Sequence, residues 1–281
     1  MRLVAAAVQM TSGGELGRNL DRAAELVLRA RARGAELVVL PENFALLAER
    51  EEAKLQHADA IDPPGEILSR MMEVARQAGA WVVLGGMPER APEAGHVYNT
   101  CALLAPDGSL RDRYRKIHLF DVAIPDGATY HESKSVSPGD EVHVSATPWG
   151  GLGLSVCYDL RFPELFRALA LGGARIVALP SAFTLPTTRA HWEILVRARA
   201  IENEVFVVAA NQVGPHPGGS HSGGRSLIVD PWGEVLARAE EGEGWIAAEL
   251  DFERQLQIRA QLPVLAHRRS DVYGDPRGGR A

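Results

Sequence analysis

Val39-Leu40-Pro41-Glu42-Asn43-Phe44 and, much later, Ala178-Leu179-Pro180-Ser181-Ala182-Phe183 are two copies of one pattern. Each is an apolar strand ending in Leu-Pro. Each is followed by a further strand and then a hairpin, around Pro106-Asp107-Gly108 in the first case and Pro231-Trp232-Gly233 in the second. Outward from the first copy, Leu3 to Val8 reads as a strand, and Leu20, Ala23, Ala24 and Val27 share one helical face. Gly34 suits the helix stop before the strand Leu37 to Leu40. Ile67, Leu68, Met71, Val74 and Ala75 mark a helix, and Trp81 to Leu84 a strand. Asn99 to Leu104 and Leu110 to Arg115 pair as the hairpin. Around the second copy the order is strand (Leu152 to Cys157), helix (Leu165 to Leu171), strand (Ile176 to Leu179), helix (Arg189 to Ile201) and strand (Val205 to Ala210). The hairpin of Leu227 to Asp230 with Val235 to Ala239, a late strand Trp245 to Leu250 and a helix Phe252 to Leu262 follow. Two related halves, each a mixed sheet with helices on one face, bury their bare faces on each other. The expected fold is α/β: a four-layer α-β-β-α sandwich with two mixed sheets packed face to face. In that frame Glu42 and Ser181 stand at equivalent strand ends, and only the first half keeps a carboxylate there.

Composition narrows the function classes. The chain has 281 residues, 46% hydrophobic and 23% charged, as in an ordinary globular protein. The net charge of −6 comes from interleaved acids and bases. No basic stripe points to nucleic acid and no basic amphipathic segment to a membrane. The apolar start, Met1 to Met10, is interrupted by Gln9 and runs into a helix pattern, so it reads as a first core strand and not a signal peptide. Nothing is long enough to span a bilayer. Of two cysteines, Cys101 lies in a strand-like run and reads as inert packing. No disulfide with Cys157 is expected. Two free thiols fit a reducing, cytoplasmic setting.

Cys157 stands at the end of Gly153-Leu154-Ser155-Val156-Cys157, before Tyr158-Asp159-Leu160-Arg161-Phe162-Pro163-Glu164. A thiol at a strand end with a helix N-terminus behind it meets a carbonyl easily and can have a lowered pKa. Amide hydrolysis by a thiol needs a nucleophile, a base, an oxyanion donor and an acid for the departing amine. Glu42 is the candidate base and acid, provided burial lifts its pKa toward working pH. Lys116 would balance charge and hold the oxyanion, with the backbone N–H of Tyr158 as second donor. Each has a plainer reading: a loop carboxylate, a solvated edge charge, a packing thiol. A histidine base such as His118 and a non-catalytic binding scaffold are the competing classes.

Pro41-Glu42-Asn43-Phe44, Arg115-Lys116-Ile117-His118-Leu119 and Cys157-Tyr158-Asp159-Leu160-Arg161-Phe162 together resemble the nitrilase superfamily of carbon–nitrogen hydrolases. The likeness runs from Gln9 to Tyr273. It is strongest to the amidase branch that includes deaminated-glutathione amidases and ω-amidases. His131-Glu132-Ser133-Lys134 matches a loop where that family carries a second glutamate, which implies that Glu132 positions the lysine and the substrate nitrogen. The resemblance implies a Glu42-Lys116-Cys157 triad acting through a thioester, with no metal or organic cofactor. The implied substrate is a small carboxylated amide, an α-keto acid ω-amide or deaminated glutathione. An N-carbamoyl amino-acid hydrolase is the second expectation and a nitrilase the third. It also implies one carbon–nitrogen hydrolase domain over residues 1–281 with a loose tail from about 274, and a homo-oligomer, dimer or larger. Arg161 is a candidate for holding a substrate carboxylate, against a salt bridge to Asp159 or Glu164. Phe183 and Thr187 are pocket candidates by resemblance. Two departures, Thr188 and Arg225, replace the branch's usual glycine and histidine in segments expected to border the pocket, which implies a substrate different from the branch's usual keto-acid amides and, through the positive charge of Arg225, a preference for a second carboxylate. His191-Trp192-Glu193 reads as packing and not metal ligation. His216 and His221 lie in a glycine-rich loop that is a candidate pocket edge.

Overall fold

A computed structural model of the chain describes residues 1–47, 49, 52–123 and 129–275. The first half runs β1 (Arg2–Gln9), α1 (Leu16–Ala32), β2 (Leu37–Val39), α2 (Glu52–Gln56), α3 (Glu66–Ala78), β3 (Trp81–Arg90), β4 (Val97–Leu104) and β5 (Leu110–Arg115). A small hairpin of β6 (Asp121–Ala123) and β7 (Thr129–His131) leads to the second half. That half runs β8 (Val144–Thr147), β9 (Gly150–Leu154), α4 (Pro163–Leu171), β10 (Ala174–Ser181), the short α5 (Leu185–Thr187), α6 (Glu193–Asn203) and β11 (Phe206–Asn211). A second small hairpin, β12 (Val213–Pro215) with β13 (His221–Gly223), precedes β14 (Leu227–Val229) and β15 (Val235–Arg238). The return strand β16 (Gly244–Asp251) and helix α7 (Phe252–Gln261) follow.

Two six-stranded sheets result, ordered β16-β1-β2-β3-β4-β5 and β15-β14-β11-β10-β9-β8. β1, β2 and β3 are parallel, as are β9, β10 and β11. In each sheet two antiparallel strands extend the third parallel strand, and one antiparallel strand flanks the first. The halves share one topology, and β2 and β10, the strands of the Leu-Pro repeat, are counterparts. The expected four-layer sandwich is what forms. Its reason is visible in strand alternation. Leu3, Ala5, Ala7, Leu37 and Val39 pack toward the second sheet, while Ala6, Val8, Val38 and Leu40 pack with the helical layer. That layer is α1 and α3; α1 contributes Leu16, Leu20, Ala23, Val27 and Ala30 at helical spacing. α4 and α6 cover the outer face of the second sheet. Gly34, at φ 97°, turns the chain out of α1, a conformation that favours glycine.

Three details differ from the sequence expectations. β9 stops at Leu154, so Cys157 opens a 3₁₀ turn (Cys157–Arg161) and does not end the strand itself. The helix expected from Arg189 begins as a π turn over Thr188–Trp192. The small hairpins β6–β7 and β12–β13 were not expected. The tail expected from about residue 274 lies, beyond 275, outside the described residues. Among the described residues no helix is long and apolar enough to cross a membrane.

The architecture fixes where chemistry can occur. In parallel α/β sheets, ligands bind beyond the carboxyl ends of the strands. Here the segments leaving β1, β2, β5, β9, β10 and β11 converge: Gln212 Nε2 donates both to Ser12 Oγ (2.7 Å) and to the carbonyl of Glu42 (2.9 Å).

Candidate active site

Glu42 is presented by a tight turn after β2. Asn43 takes φ 58° and its N–H donates to the carbonyl of Gly86 (3.0 Å), which folds Glu42 into the sheet interface at 4% exposure. Gly86 has no room for a side chain: a Cβ there would lie 2.5 Å from Asn99 Oδ1 and 2.9 Å from Glu42 Cγ. Lys116 follows β5, its N–H held by the carbonyl of Asn99 (2.9 Å), and is 2% exposed. Its ammonium donates to Glu42 Oε1 (3.0 Å) and to Glu132 Oε2 (2.8 Å). Glu132 Oε2 also accepts the N–H of Phe120 (2.7 Å). Asn99 Nδ2 ties the two carboxylates together, at 2.9 Å from Glu42 Oε1 and 3.1 Å from Glu132 Oε1. Both oxygens of Glu132 are therefore engaged, while on Glu42 the bonds from Lys116 and Asn99 both fall on Oε1.

Burial opposes charge on Lys116, but the charges of Glu132 and Glu42 overcome it and hold the ammonium well above the ordinary lysine range. Burial likewise works against a charged Glu132, yet Lys116 and then Lys54 bring its carboxyl below the usual range. The cluster is an ion network whose members depend on one another.

Cys157 sits at φ 50°, uncommon for a residue with a side chain. Asp159 holds the turn, its Oδ2 accepting the N–H of Val156 (2.8 Å) and the hydroxyl of Tyr114 (2.7 Å). The Glu42 carboxylate and the Ala182 N–H, just after β10, both act on the thiol, in opposite directions. Burial first, and the Glu42 charge second, push this thiol well above the ordinary cysteine range, against the pull of Lys116. The expectation of a lowered pKa is corrected here. The helix that might have lowered it, α4, starts only at Pro163, beyond the 3₁₀ turn. The resting group is thus a thiol whose proton must be removed. Cys101 is free, fully buried and also raised by burial. Ultraviolet thiolate absorbance of the folded chain is therefore expected to stay flat up to about pH 8.5, the ordinary cysteine value. A thiolate step centred below that value would contradict this geometry.

His118 does not serve as a base in this arrangement. Its Nδ1 is 2.7 Å from Asp159 Oδ1, its ring stacks on Phe162 at 3.6 Å, and it is not on the cavity wall. Asp159, thus engaged, leaves Arg161 alone. Among the described residues Arg161 forms no ion pair; its guanidinium lies 5.4 Å from the Phe183 ring centre and 3.4 Å from His191 Nδ1. The salt bridge weighed against a binding role is absent from these residues.

Glu42, Lys116, Glu132 and Cys157 line one cavity of about 460 Å³, together with Tyr158, Arg161, Phe183 and Thr187. The fold brings every candidate to one place. His216 and His221 are also on its wall, so the glycine-rich loop is a pocket edge. Thr188 and Arg225 are not, although Thr187, next to Thr188, is. Thr188 is buried, donates to the carbonyl of Phe183 (3.2 Å) and packs on Gly223, where a Cβ would lie 2.2 Å from its own. Arg225 is exposed, and its carbonyl accepts the indole N–H of Trp192 (2.7 Å). The expectation that Arg225 adds positive charge to the pocket is corrected accordingly. Trp192 is fully buried and Glu193 pairs with Arg238 (2.8 Å), the packing role expected of that motif. Three contributors escaped the sequence reading: Asn99, Gln212 and the N–H of Ala182. Asn99 had one signal, a polar residue at the head of an apolar hairpin strand.

A four-layer sandwich with a thiol, a carboxylate and an ammonium where its two sheets meet is the build of a hydrolase of carbon–nitrogen bonds. This chain belongs to the carbon–nitrogen hydrolase family, whose model matches residues 4–260. It is 46% identical over 268 residues to a deaminated glutathione amidase of Synechocystis sp., covering 94% of this chain and 97% of that protein. It is 40% identical over 255 residues to the human omega-amidase NIT2, covering 91% of each. The crystal structure of the C. elegans NitFhit protein superposes with a TM-score of 0.90 at 41% identity, over 97% of this chain and 66% of that longer protein.

Proposed function

We propose that the chain is an amidase that cleaves a small carboxylated amide, deaminated glutathione or the ω-amide of an α-keto acid, through a thioester on Cys157. One observation carries the reading: a buried thiol lies within electrostatic reach of the Glu42 carboxylate, whose Oε1 is held by Lys116 and Asn99. Glu42 takes the thiol proton as sulfur bonds to the amide carbon. The oxygen that becomes negative is held by Lys116 Nζ and the N–H of Tyr158. Collapse breaks the C–N bond, and Glu42 returns the proton to the departing nitrogen. Water, deprotonated by Glu42, then cleaves the thioester to a carboxylate and the regenerated thiol. Glu132, with both oxygens engaged, keeps Lys116 in place and stays out of proton transfer. Arg161 holds the substrate carboxylate beside Phe183 and Thr187.

We read residues 1–281 as a single domain acting in the cytoplasm as a homo-oligomer. The free thiols support the setting, and the exposed Ile194 and Ile201 of α6, with the exposed Trp232, support a covered face.

The substrate class is tested by ammonia release from α-ketoglutaramate and amine release from deaminated glutathione, beside an N-carbamoyl amino acid. Turnover of either keto-acid amide is the expected result. Turnover of the carbamoyl compound alone would replace this reading with the carbamoyl hydrolase.

A further inference from the structure

His216 is 7% exposed and lines the cavity, on the loop between β12 and β13. Its N–H donates to the carbonyl of Ser220 (2.8 Å), which fixes the ring's base. Nδ1 lies 3.0 Å from the carbonyl oxygen of Ser12. A carbonyl only accepts, so Nδ1 carries the hydrogen and Nε2 presents a lone pair. That Nε2 is buried with no partner among the described residues. A buried, unpaired acceptor on a residue that lines a cavity is rare in folded proteins and points to a group supplied from outside. Burial also brings the imidazole below the ordinary histidine range, which keeps the lone pair available near neutral pH.

Position says which group. Ser12, which anchors His216, is joined through Gln212 to the backbone of Glu42. His216 thus belongs to the wall on the Glu42 side, and Arg161 to the chain segment just after Cys157. On the function proposed above, Glu42 hands its proton to the departing nitrogen, so the departing half of the substrate lies over the Glu42 wall. The acyl half, with its carboxylate, lies toward Arg161. We propose that His216 Nε2 is an acceptor subsite for a second N–H on the departing half of a secondary amide. This chain then favours substrates that release a peptide-type amine over primary amides that release ammonia. Deaminated glutathione, whose departing half carries a peptide N–H, fills the subsite; α-ketoglutaramate leaves it empty.

Two substitutions separate this role from a structural one. His216→Asn places an amide N–H where Nδ1 stands, keeping the bond to Ser12, and deletes the acceptor. His216→Gln carries an amide oxygen out to the Nε2 position. In the full chain, His216→Asn is expected to lower kcat/KM for deaminated glutathione roughly 3–10-fold, the worth of one neutral hydrogen bond, and to leave α-ketoglutaramate unchanged. His216→Gln is expected to keep most of the wild-type preference. Equal losses on both substrates, or no loss on either, would overturn the subsite while leaving the proposed function standing. Wild-type turnover of α-ketoglutaramate alone would overturn it as well. Wild-type silence on both substrates would bring down the function and the subsite together.

Discussion

Cys157→Ala is expected to abolish turnover, by at least ~10⁴-fold, in a chain that folds and melts like the wild type. The nucleophile is a single atom on the cavity wall. Without it Glu42 has no thiol to deprotonate, and the only remaining route is direct attack of water on an amide. Stability should change by less than about 1 kcal/mol. Alanine meets the same steric penalty at φ 50° as cysteine does, and Asp159 still secures the turn through Val156 and Tyr114. Mass spectrometry of quenched wild-type enzyme should show an acyl adduct that the variant lacks. Residual turnover above a few hundredths of a per cent in a folded variant would remove Cys157 from the mechanism.

Lys116→Met is expected to destabilise the fold by about 3–5 kcal/mol as well as to stop catalysis. The side chain is 2% exposed, and its loss leaves Glu42 and Glu132 buried with Asn99 as their shared partner. Two carboxylates in one dry site cannot both stay ionised, so folding must raise at least one carboxyl pKa above its unfolded value. A raised carboxyl contributes stability that is present below the unfolded pKa and is lost as pH rises through the folded one. The variant should therefore be more stable near pH 5 than near pH 8. Wild type behaves in the opposite sense: the depressed Glu132 contributes stability above its unfolded pKa and loses it only as pH falls further. Denaturation midpoints at the two pH values measure this directly. A variant as stable as wild type at both would show that the ion network contributes nothing. Adding Glu132→Gln to Lys116→Met should recover part of the loss.

The sequence made the frame and the trio that the fold brings together legible because both are local signals. An apolar run closed by Leu-Pro announces a strand end wherever it occurs, and its second occurrence at Ala178–Phe183 disclosed the repeat. Glu42, Lys116 and Cys157 were readable because each sits in a distinctive neighbourhood. What stayed hidden depends on distant pairings. Asn99 matters through bonds to Glu42 and Glu132, 57 and 33 residues away. The raised thiol of Cys157 comes from burial against Glu42, which the helix-dipole argument ignored. Thr188 looked like a specificity change because its sequence neighbours border the cavity. The π turn aims it instead at Gly223, whose missing side chain accommodates it.

The matched halves leave a consequence for how this enzyme can vary. Glu42 and Lys116 hang from one sheet, while Cys157 and the Ala182 N–H hang from the other. The core between the sheets therefore acts as a spacer that calibrates the gap between the proposed base and nucleophile. On β1, which lies against β11, that spacer is built from Ala5 and Ala7. Side chains that small permit one separation and leave little slack. The molecule's interior is therefore part of its catalytic instrument: any change of thickness in the middle layer is delivered, undiluted, to the distance between Glu42 and Cys157.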